Sequence, residues 1–371
     1  MRQERIPSAK LPHLSRLYSA YLNDFASVSK YYARSPFPVS TLRYAGDYPA
    51  ERRKAVANIL EKQNRGWGAS AKTMENIGRL RNGAAAIVTG QQAGLFGGPL
   101  LSLLKALSAI KVAQKLTENG EETVPIFWVA TEDHDLAEVA STNLIALAGN
   151  PQRITAHPQN FEGKSVGEVV FGAEIENALK EIKTAAGGDE ILALLRDSYQ
   201  PKARFGDAFA RLFAKLFADF GLILIDNAHE ELHRIAAPVY ENAARGAAEL
   251  NKSLQARTKE LEKDGFAAQV KVSAAHTLLF CRKNGIRTLV TRAGDHYFIG
   301  DLKLSQRELE ENVAKNPQDL TPNALLRPVI QDYLLPTTAY IGGPAEIAYF
   351  AQSAVVYEKL LGRVTPVLPR F

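Results

Sequence analysis
The sequence predicts an α/β protein with a parallel sheet and helices on its faces, and three observations carry that expectation. Residues 84–88 form a short apolar run that passes through a glycine-rich turn into an amphipathic helix and then into a second apolar run over 124–130. Strand, turn, helix, strand is the order of a βαβ unit, whose two strands lie parallel. A third buried run, 220–226, ends in an acid. A further apolar segment, Ala339-Tyr340-Ile341, leads into Gly342-Gly343-Pro344, which repeats the Gly97-Gly98-Pro99 of the first turn.

Taken in order, residues 1–83 read as an N-terminal helical segment, with Tyr48-Pro49-Ala50-Glu51 and Ser70-Ala71-Lys72-Thr73 as helix starts. The first part of the core spans 84–150. In it Pro99 takes the first helical position, where its missing N–H costs nothing. Leu100, Leu103, Leu104, Leu107 and Ile110 recur at helical spacing, the apolar side of an amphipathic helix, and Asn119-Gly120 stops it. Residues 151–205 read as a first insertion, with short strand candidates near Arg153 and Val169 and then two modest helices. The core resumes over 206–269 with the strand at 220–226 and a long helical region from about Glu230 to Glu262, in which Pro238 marks a kink or break. A second, β-rich insertion over 270–320 holds Leu278-Leu279-Phe280 and Leu289-Val290-Thr291 on either side of Asn284-Gly285, a hairpin signal. Ser305-Gln306-Arg307-Glu308 has capping-box spacing for a short helix, and 321–371 completes the core.

At 371 residues, 46% hydrophobic and 23% charged, the chain can bury a substantial core in one elaborated domain or two to three modules. A single cysteine, Cys281, excludes an intramolecular disulfide and a cysteine-rich zinc site, and suits a reducing cytoplasm. The start Met1-Arg2-Gln3-Glu4-Arg5 leads into no apolar segment, and no run reaches the roughly 18 apolar residues of a membrane span. A cytoplasmic protein is therefore expected. The net charge of +5 is spread along the chain, which fits anionic small molecules better than nucleic acid.

Glycines let a backbone approach a ligand closely, and the first-turn N–H groups and dipole of a helix favour negative charge. Gly90, Gln91, Gln92, Gly94, Gly97 and Gly98 are therefore candidate phosphate or nucleotide binders. Gly342, Gly343 and Glu346, at the second such turn, are expected to face the same crevice at the carboxyl ends of the strands. Neither turn is a dinucleotide fingerprint or a P-loop, so neither mechanism is assigned, and each could be only a tight turn before a helix. The second constellation is Trp128-Val129-Ala130-Thr131-Glu132-Asp133-His134-Asp135. Its carboxylates Glu132, Asp133 and Asp135 and its imidazole, His134, could hold Mg²⁺, bind an amine or ribose hydroxyl, or supply a general base. The plainer alternative is a polar loop in which Asp133 or Asp135 caps the next helix. One histidine among carboxylates disfavours zinc, and no metal site is assigned. Asn323, Arg327 and Lys105 could reach phosphates, and Asp226, Asn227 and His229 could touch a ribose, although helix capping explains Asp226 and Asn227 as well. His233 and His276 read as structural and Cys281 as a buried filler.

The runs Val88-Thr89-Gly90-Gln91-Gln92-Ala93-Gly94-Leu95-Phe96, Phe127-Trp128-Val129-Ala130-Thr131-Glu132-Asp133-His134-Asp135 and Leu335-Pro336-Thr337-Thr338-Ala339-Tyr340-Ile341-Gly342-Gly343-Pro344-Ala345-Glu346-Ile347-Ala348-Tyr349 together resemble the bacillithiol biosynthesis cysteine-adding enzymes. The similarity covers nearly the whole chain. It implies a cytoplasmic ligase that adds cysteine to the amino group of glucosaminyl-malate, giving the small thiol bacillithiol. It also implies a Rossmann-like core similar to the nucleotide-binding core of class I aminoacyl-tRNA synthetases, with two inserted connecting segments. ATP would drive acyl activation with Mg²⁺ as its companion ion, and a C-terminal antiparallel coiled coil would form a homodimer. This chain stops at Val367-Leu368-Pro369-Arg370-Phe371, about where that coiled coil would begin, and is expected to lack it. The synthetase histidine pair is absent from the first turn, so Gln91 and Gln92 would replace it. In this picture Gly90, Gln91, Gly94, Gly97 and Gly98 hold a phosphate or adenylate, and Gly342, Gly343 and Glu346 complete the nucleotide pocket. Glu132, Asp133, His134 and Asp135 would orient the amine or accept its proton. The residues by themselves leave open a catalytically silent nucleotide- or sugar-phosphate-binding module that works with a partner protein. A Rossmann oxidoreductase is disfavoured by the missing fingerprint.

Overall fold
The computed structural model describes residues 14–159, 161–162, 164–186, 188–283 and 286–370, so the Met1–Arg5 start, the Asn284-Gly285 turn and Phe371 lie outside the described residues. The chain divides into two compact units. Residues 47–233 with 282–287 form the first, and residues up to 46, 234–281 and 288–370 the second.

The first unit is built on the predicted βαβ element. Strand β1 (Ala85–Gln92) and strand β2 (Thr123–Ala130) pair in parallel, joined by the helix Leu100–Glu118. Strands β3 (Ser141–Ile145) and β4 (Pro151–Thr155) form a separate antiparallel pair, and β5 (Ile223–Asp226) adds to β2 in parallel. Near Val169 the expected strand is only a single bridge, Val170 to Arg204, followed by the helix Phe205–Leu216 after Glu174–Ala186 and Asp189–Ser198. The ring of Phe127 of β2 packs tilted against Phe209 and Phe213 of that last helix, which stack with centroids 4.2 Å apart, and this aromatic cluster anchors the core. The outer side of β5 is closed by side-chain amides of the helix Ala50–Gly66. Asn64 exchanges bonds of 2.7 and 3.0 Å with the backbone of Leu224, and Gln63 does the same with Asp226 at 2.8 and 3.2 Å. They satisfy strand groups that burial would otherwise leave unpaired, and they fix the backbone of Asp226.

Three expectations are corrected here. Gly90, Gln91 and Gln92 belong to strand β1, so the turn itself runs over 93–99. Pro99 precedes the helix as its N-cap, with extended backbone, and is not its first residue. The stripe is buried only in part: Ile110 is buried and Leu103 packs on the core, but Leu100 is 69% exposed and Leu107 39%, while Ser102, Lys105, Ala106 and Ala109 go inward. Lys105 accounts for the rotation, since its Nζ donates to Gly90 O at 2.8 Å and to Gln91 Oε1 at 2.9 Å, bonds that only an inward face can make. Gly90 is required by packing. A Cβ there would stand 2.8 Å from the carbonyl oxygen of its partner Trp128, so Gly90→Ala is expected to cost about 2 kcal/mol in a urea titration. An unchanged midpoint would refute this.

In the second unit β6 (His276–Lys283), β7 (Ile286–Ala293), β8 (His296–Ile299), β9 (Leu302–Ser305) and β10 (Leu320–Pro322) make an antiparallel sheet in the order β10-β6-β7-β8-β9. The capping box over 305–308 forms as its spacing predicts, opening the helix Gln306–Lys315. Strands β11 (Thr337–Gly342) and β12 (Val367–Pro369) pair in parallel around the helix Pro344–Leu361. The long helical region breaks at Gly246, between Glu230–Arg245 and Ala247–Lys263, and Pro238 sits inside the first of these helices. Among the described residues no helix is long and apolar enough to cross a membrane.

Candidate functional site
The carboxyl ends of β1, β2 and β5 lie side by side in the first unit, where a parallel sheet presents its loops. The chain leaving β2 places its four consecutive polar residues in four directions. Glu132 turns inward and is 7% exposed, with its Oε1 3.0 Å from Nε2 of His233, itself 3% exposed. Asp133 faces Gln92, whose Nε2 donates to Asp133 Oδ2 at 2.7 Å and to Glu138 Oε2 at 3.1 Å. The other oxygen of Asp133 accepts the backbone N–H of His134 at 2.8 Å. His134 points to solvent, with Nδ1 3.8 Å from Asp133. Asp135 accepts from Glu138 N at 3.1 Å and caps the short helix Leu136–Val139, as the plainer reading holds. The spacing that suggested one catalytic group thus separates into a buried pair, a positioned carboxylate, an exposed imidazole and a cap.

One strand further, Thr131 and Asp226 meet through a short bond from Thr131 Oγ1 to Asp226 Oδ1, which also accepts Ala228 N–H at 3.0 Å. Two glycines make room for Thr131: a Cβ on Gly167 would stand 2.8 Å from it and one on Gly206 2.7 Å. Burial pushes the Asp226 carboxyl up to about 6; the bonds from Thr131 and Ala228 oppose this, and the charges of Glu132 and Asp207 add to it. Sequence reading gave Asp226 only secondary standing, and Gly206, an unusual residue for the first turn of a helix, was the available signal. Asn227 and His233 are buried, and His229 begins the turn into the next helix.

The first glycine turn is occupied with its own geometry. Phe96, Gly97 and Gly98 have φ of 54°, 94° and 70°, which is why glycine is needed at the last two. Gly97 N–H donates to Gly94 O and to the Tyr199 hydroxyl, and Gly98 N–H to Leu95 O. Gly94 leaves no space for a side chain because Gly98 Cα would lie 2.5 Å from its Cβ. Gly97 and Gly98 N–H are therefore both spent inside the turn. Gln91, its oxygen taken by Lys105, keeps its amide nitrogen as a donor.

In the second unit Asn323 accepts Leu325 N and Leu326 N at 3.0 Å and so shapes the turn into the helix Arg327–Leu334. Glu346 accepts from Gly343 N and from the Tyr340 hydroxyl, both at 2.7 Å. Burial and the Glu346 charge raise the phenols of Tyr340 and Tyr349 above their usual range, and Arg327 opposes the shift at both. Gly342, Gly343, Glu346 and Arg327 thus share one neighbourhood, and a side chain on Gly342 or Gly343 would meet Glu346, Val367 or Arg370. No cluster of three or more His, Cys, Asp or Glu side chains suited to a metal ion occurs among the described residues.

A parallel βαβ unit with polar side chains gathered beyond its carboxyl ends defines a Rossmann-like α/β protein. The chain belongs to the bacillithiol biosynthesis BshC family: residues 1–371 match the model described as Bacillithiol biosynthesis BshC, N-terminal Rossmann-like domain. A relative from Koribacter versatilis is 46% identical over 99% of this chain and 69% of its own length. One from Solibacter usitatus is 36% identical over 98% and 68%, and one from Symbiobacterium thermophilum 34% over 99% and 70%. All three carry the name "Putative cysteine ligase BshC".

Proposed function
We propose that this chain is a cysteine ligase that forms an amide between the carboxyl of cysteine and the amino group of glucosaminyl-malate. Family membership supports the reaction class, and the observation that carries a site for it is the Asp133 carboxylate held by Gln92 at the ends of β1 and β2. A carboxylate is a poor electrophile, and ATP with Mg²⁺ would supply the activation that makes it one; both enter this reading from the family resemblance alone. The chain's own residues perform the acceptor half. Asp133 accepts the proton that the attacking amine loses as its nitrogen bonds to the activated cysteine carbonyl carbon and that carbon's bond to its phosphate or adenylate leaving group breaks. Gln92 fixes the rotamer of Asp133, and His134, exposed beside it, relays the proton to solvent. Glu132 and Asp135 support this arrangement through the His233 contact and the helix cap.

Purified protein supplied with cysteine, glucosaminyl-malate, ATP and Mg²⁺ is expected to yield bacillithiol, detected by mass after thiol labelling. Calorimetric binding of glucosaminyl-malate without turnover would favour the silent module and overturn the ligase. Gln92→Ala, which releases Asp133, is expected to lower kcat by about 100-fold with KM for cysteine little changed. An unaltered kcat would remove Asp133 from the role.

A further inference from the structure
Lys105, on the helix Leu100–Glu118, is 2% exposed, and the reaction as described gives it no part. Its Nζ reaches the carboxyl end of β1, where it donates to Gly90 O at 2.8 Å and to Gln91 Oε1 at 2.9 Å. An ammonium has three donors and no acceptor. The two ends of a glutamine amide are nearly alike in shape, so a donor-only neighbour decides which end it meets. The oxygen of Gln91 faces Nζ, and the two N–H groups of Nε2 are turned away from it. Gln91 is half-buried, and it precedes Gln92, whose amide holds Asp133. In register Gln91 lies opposite Val129 and Gln92 opposite Ala130, just before the chain reaches Asp133. Beyond Asp133 the chain turns back onto the helix that carries Lys105, since Leu136 and Val139 share one apolar cluster with Ala106 and Ile110. The Gln91 donor and the Asp133 carboxylate therefore stand at the same strand ends.

A base alone does not complete amide formation. As the nitrogen–carbon bond forms, the carbonyl π pair moves onto oxygen, and it returns when the carbon's bond to the phosphate or adenylate leaving group breaks. The proton goes to Asp133, and the transient negative charge on oxygen still needs a donor. Fixed N–H groups aimed at such an oxygen are effective because nothing has to reorganise as the charge develops. We propose that Gln91 Nε2 donates to the carbonyl oxygen of the activated cysteine, and that Lys105 is the positioning residue that fixes and polarises this amide. The assignment rests on the ligase reading above and adds its oxyanion donor. An ammonium bonded to the amide oxygen draws electron density from the nitrogen, so each N–H becomes a stronger donor. The bond from Nζ to Gly90 O ties the same ammonium to the strand and holds the direction of the amide.

The test uses the full chain, with the folding of each variant checked by circular dichroism and its urea midpoint. Gln91→Glu keeps the shape and an oxygen for Lys105 but has no N–H, and Gln91→Ala removes the group. Both are expected to lower kcat about 100-fold, with KM for cysteine, ATP and glucosaminyl-malate within about twofold of the parent. Lys105→Met, of similar length without the ammonium, is expected to lower kcat about 10-fold, and combined with Gln91→Ala it should add nothing, because Lys105 acts through the amide. Multiplied losses in the double variant would make Lys105 a structural residue and overturn its role. Full activity of Gln91→Glu, or a raised KM for ATP at unchanged kcat, would overturn the oxyanion donor. A readout free of turnover separates this from failure of the ligase reading. With glutamine labelled by ¹⁵N, the Gln91 side-chain amide, identified by its loss in Gln91→Glu, should shift and exchange faster with water in Lys105→Met. An unchanged amide signal overturns the positioning even where bacillithiol forms. A shifted signal in a protein whose parent forms no bacillithiol upholds the positioning and overturns the ligase reading together with its oxyanion.

Discussion

Asp226→Asn is expected to make the protein more stable at pH 8, by up to about 3 kcal/mol. The carboxyl titrates near 6 in the folded protein, well above the ordinary carboxylate value of about 3.9. Between about pH 4 and pH 6 the folded state therefore holds a proton that the unfolded chain has released, and stability falls as pH rises through that window. Asparagine stays neutral in both states, keeps an oxygen for Thr131 and Ala228, and escapes this loss. The gain should be absent near pH 3, grow between pH 4 and 6 and level off above, as read from thermal unfolding at each pH. Asp332 of the second unit, pushed up to about 6 by burial against the opposing charge of Arg363, gives the parent a second slope of the same sign. Comparing variant with parent at each pH removes that contribution. A variant less stable than the parent at pH 8 would contradict the raised carboxyl.

Glu132→Ala is expected to destabilise the first unit by about 3 kcal/mol, because it withdraws the carboxylate from a contact sealed in the interior. The loss should appear as a lower midpoint in urea at unchanged slope. Glu132→Gln, which keeps an oxygen opposite His233, should recover most of it. If Glu132→Ala unfolds at the parent's midpoint yet forms no amide, the carboxylate belongs to the chemistry and not to the frame.

The parts of this protein that could be read from its residues are those decided within a few positions. Ser70 and Ser305 cap helices because each hydroxyl meets an amide three residues on, and a local pattern is enough to show it. The order strand, turn, helix, strand was equally legible from the alternation of apolar runs. The buried face of Leu100–Glu118 was not, since Lys105 turns inward to reach atoms of β1, and periodicity weighed the leucines alone. Pro238 does not break its helix, which continues through it, and the chain breaks at Gly246. At the site the acidic run was visible as a concentration of charge. Its dispersal was not, because the direction of each side chain depends on the turn that follows β2. A cavity of about 570 Å³ beside Asp226 was hidden for a simpler reason: Lys62, Glu168, Arg211 and Arg282, which are among its lining, lie far apart in sequence, and no spacing joins them.

The self-contained glycine turn and the Glu346 cap have a bearing on how this molecule would meet an anion at all. A backbone cradle is rigid, cannot be titrated and is little altered by substitution. In this chain Glu346 holds Gly343 N–H, and the carbonyls of the first glycine turn hold Gly97 and Gly98 N–H. Long cationic side chains such as Lys62, Arg204 and Arg211 would by contrast surrender rotamer freedom on meeting an anion. Recognition of that kind weakens with added salt and adjusts readily to a new ligand shape, so one fold can change its acidic substrate by exchanging a few surface cations.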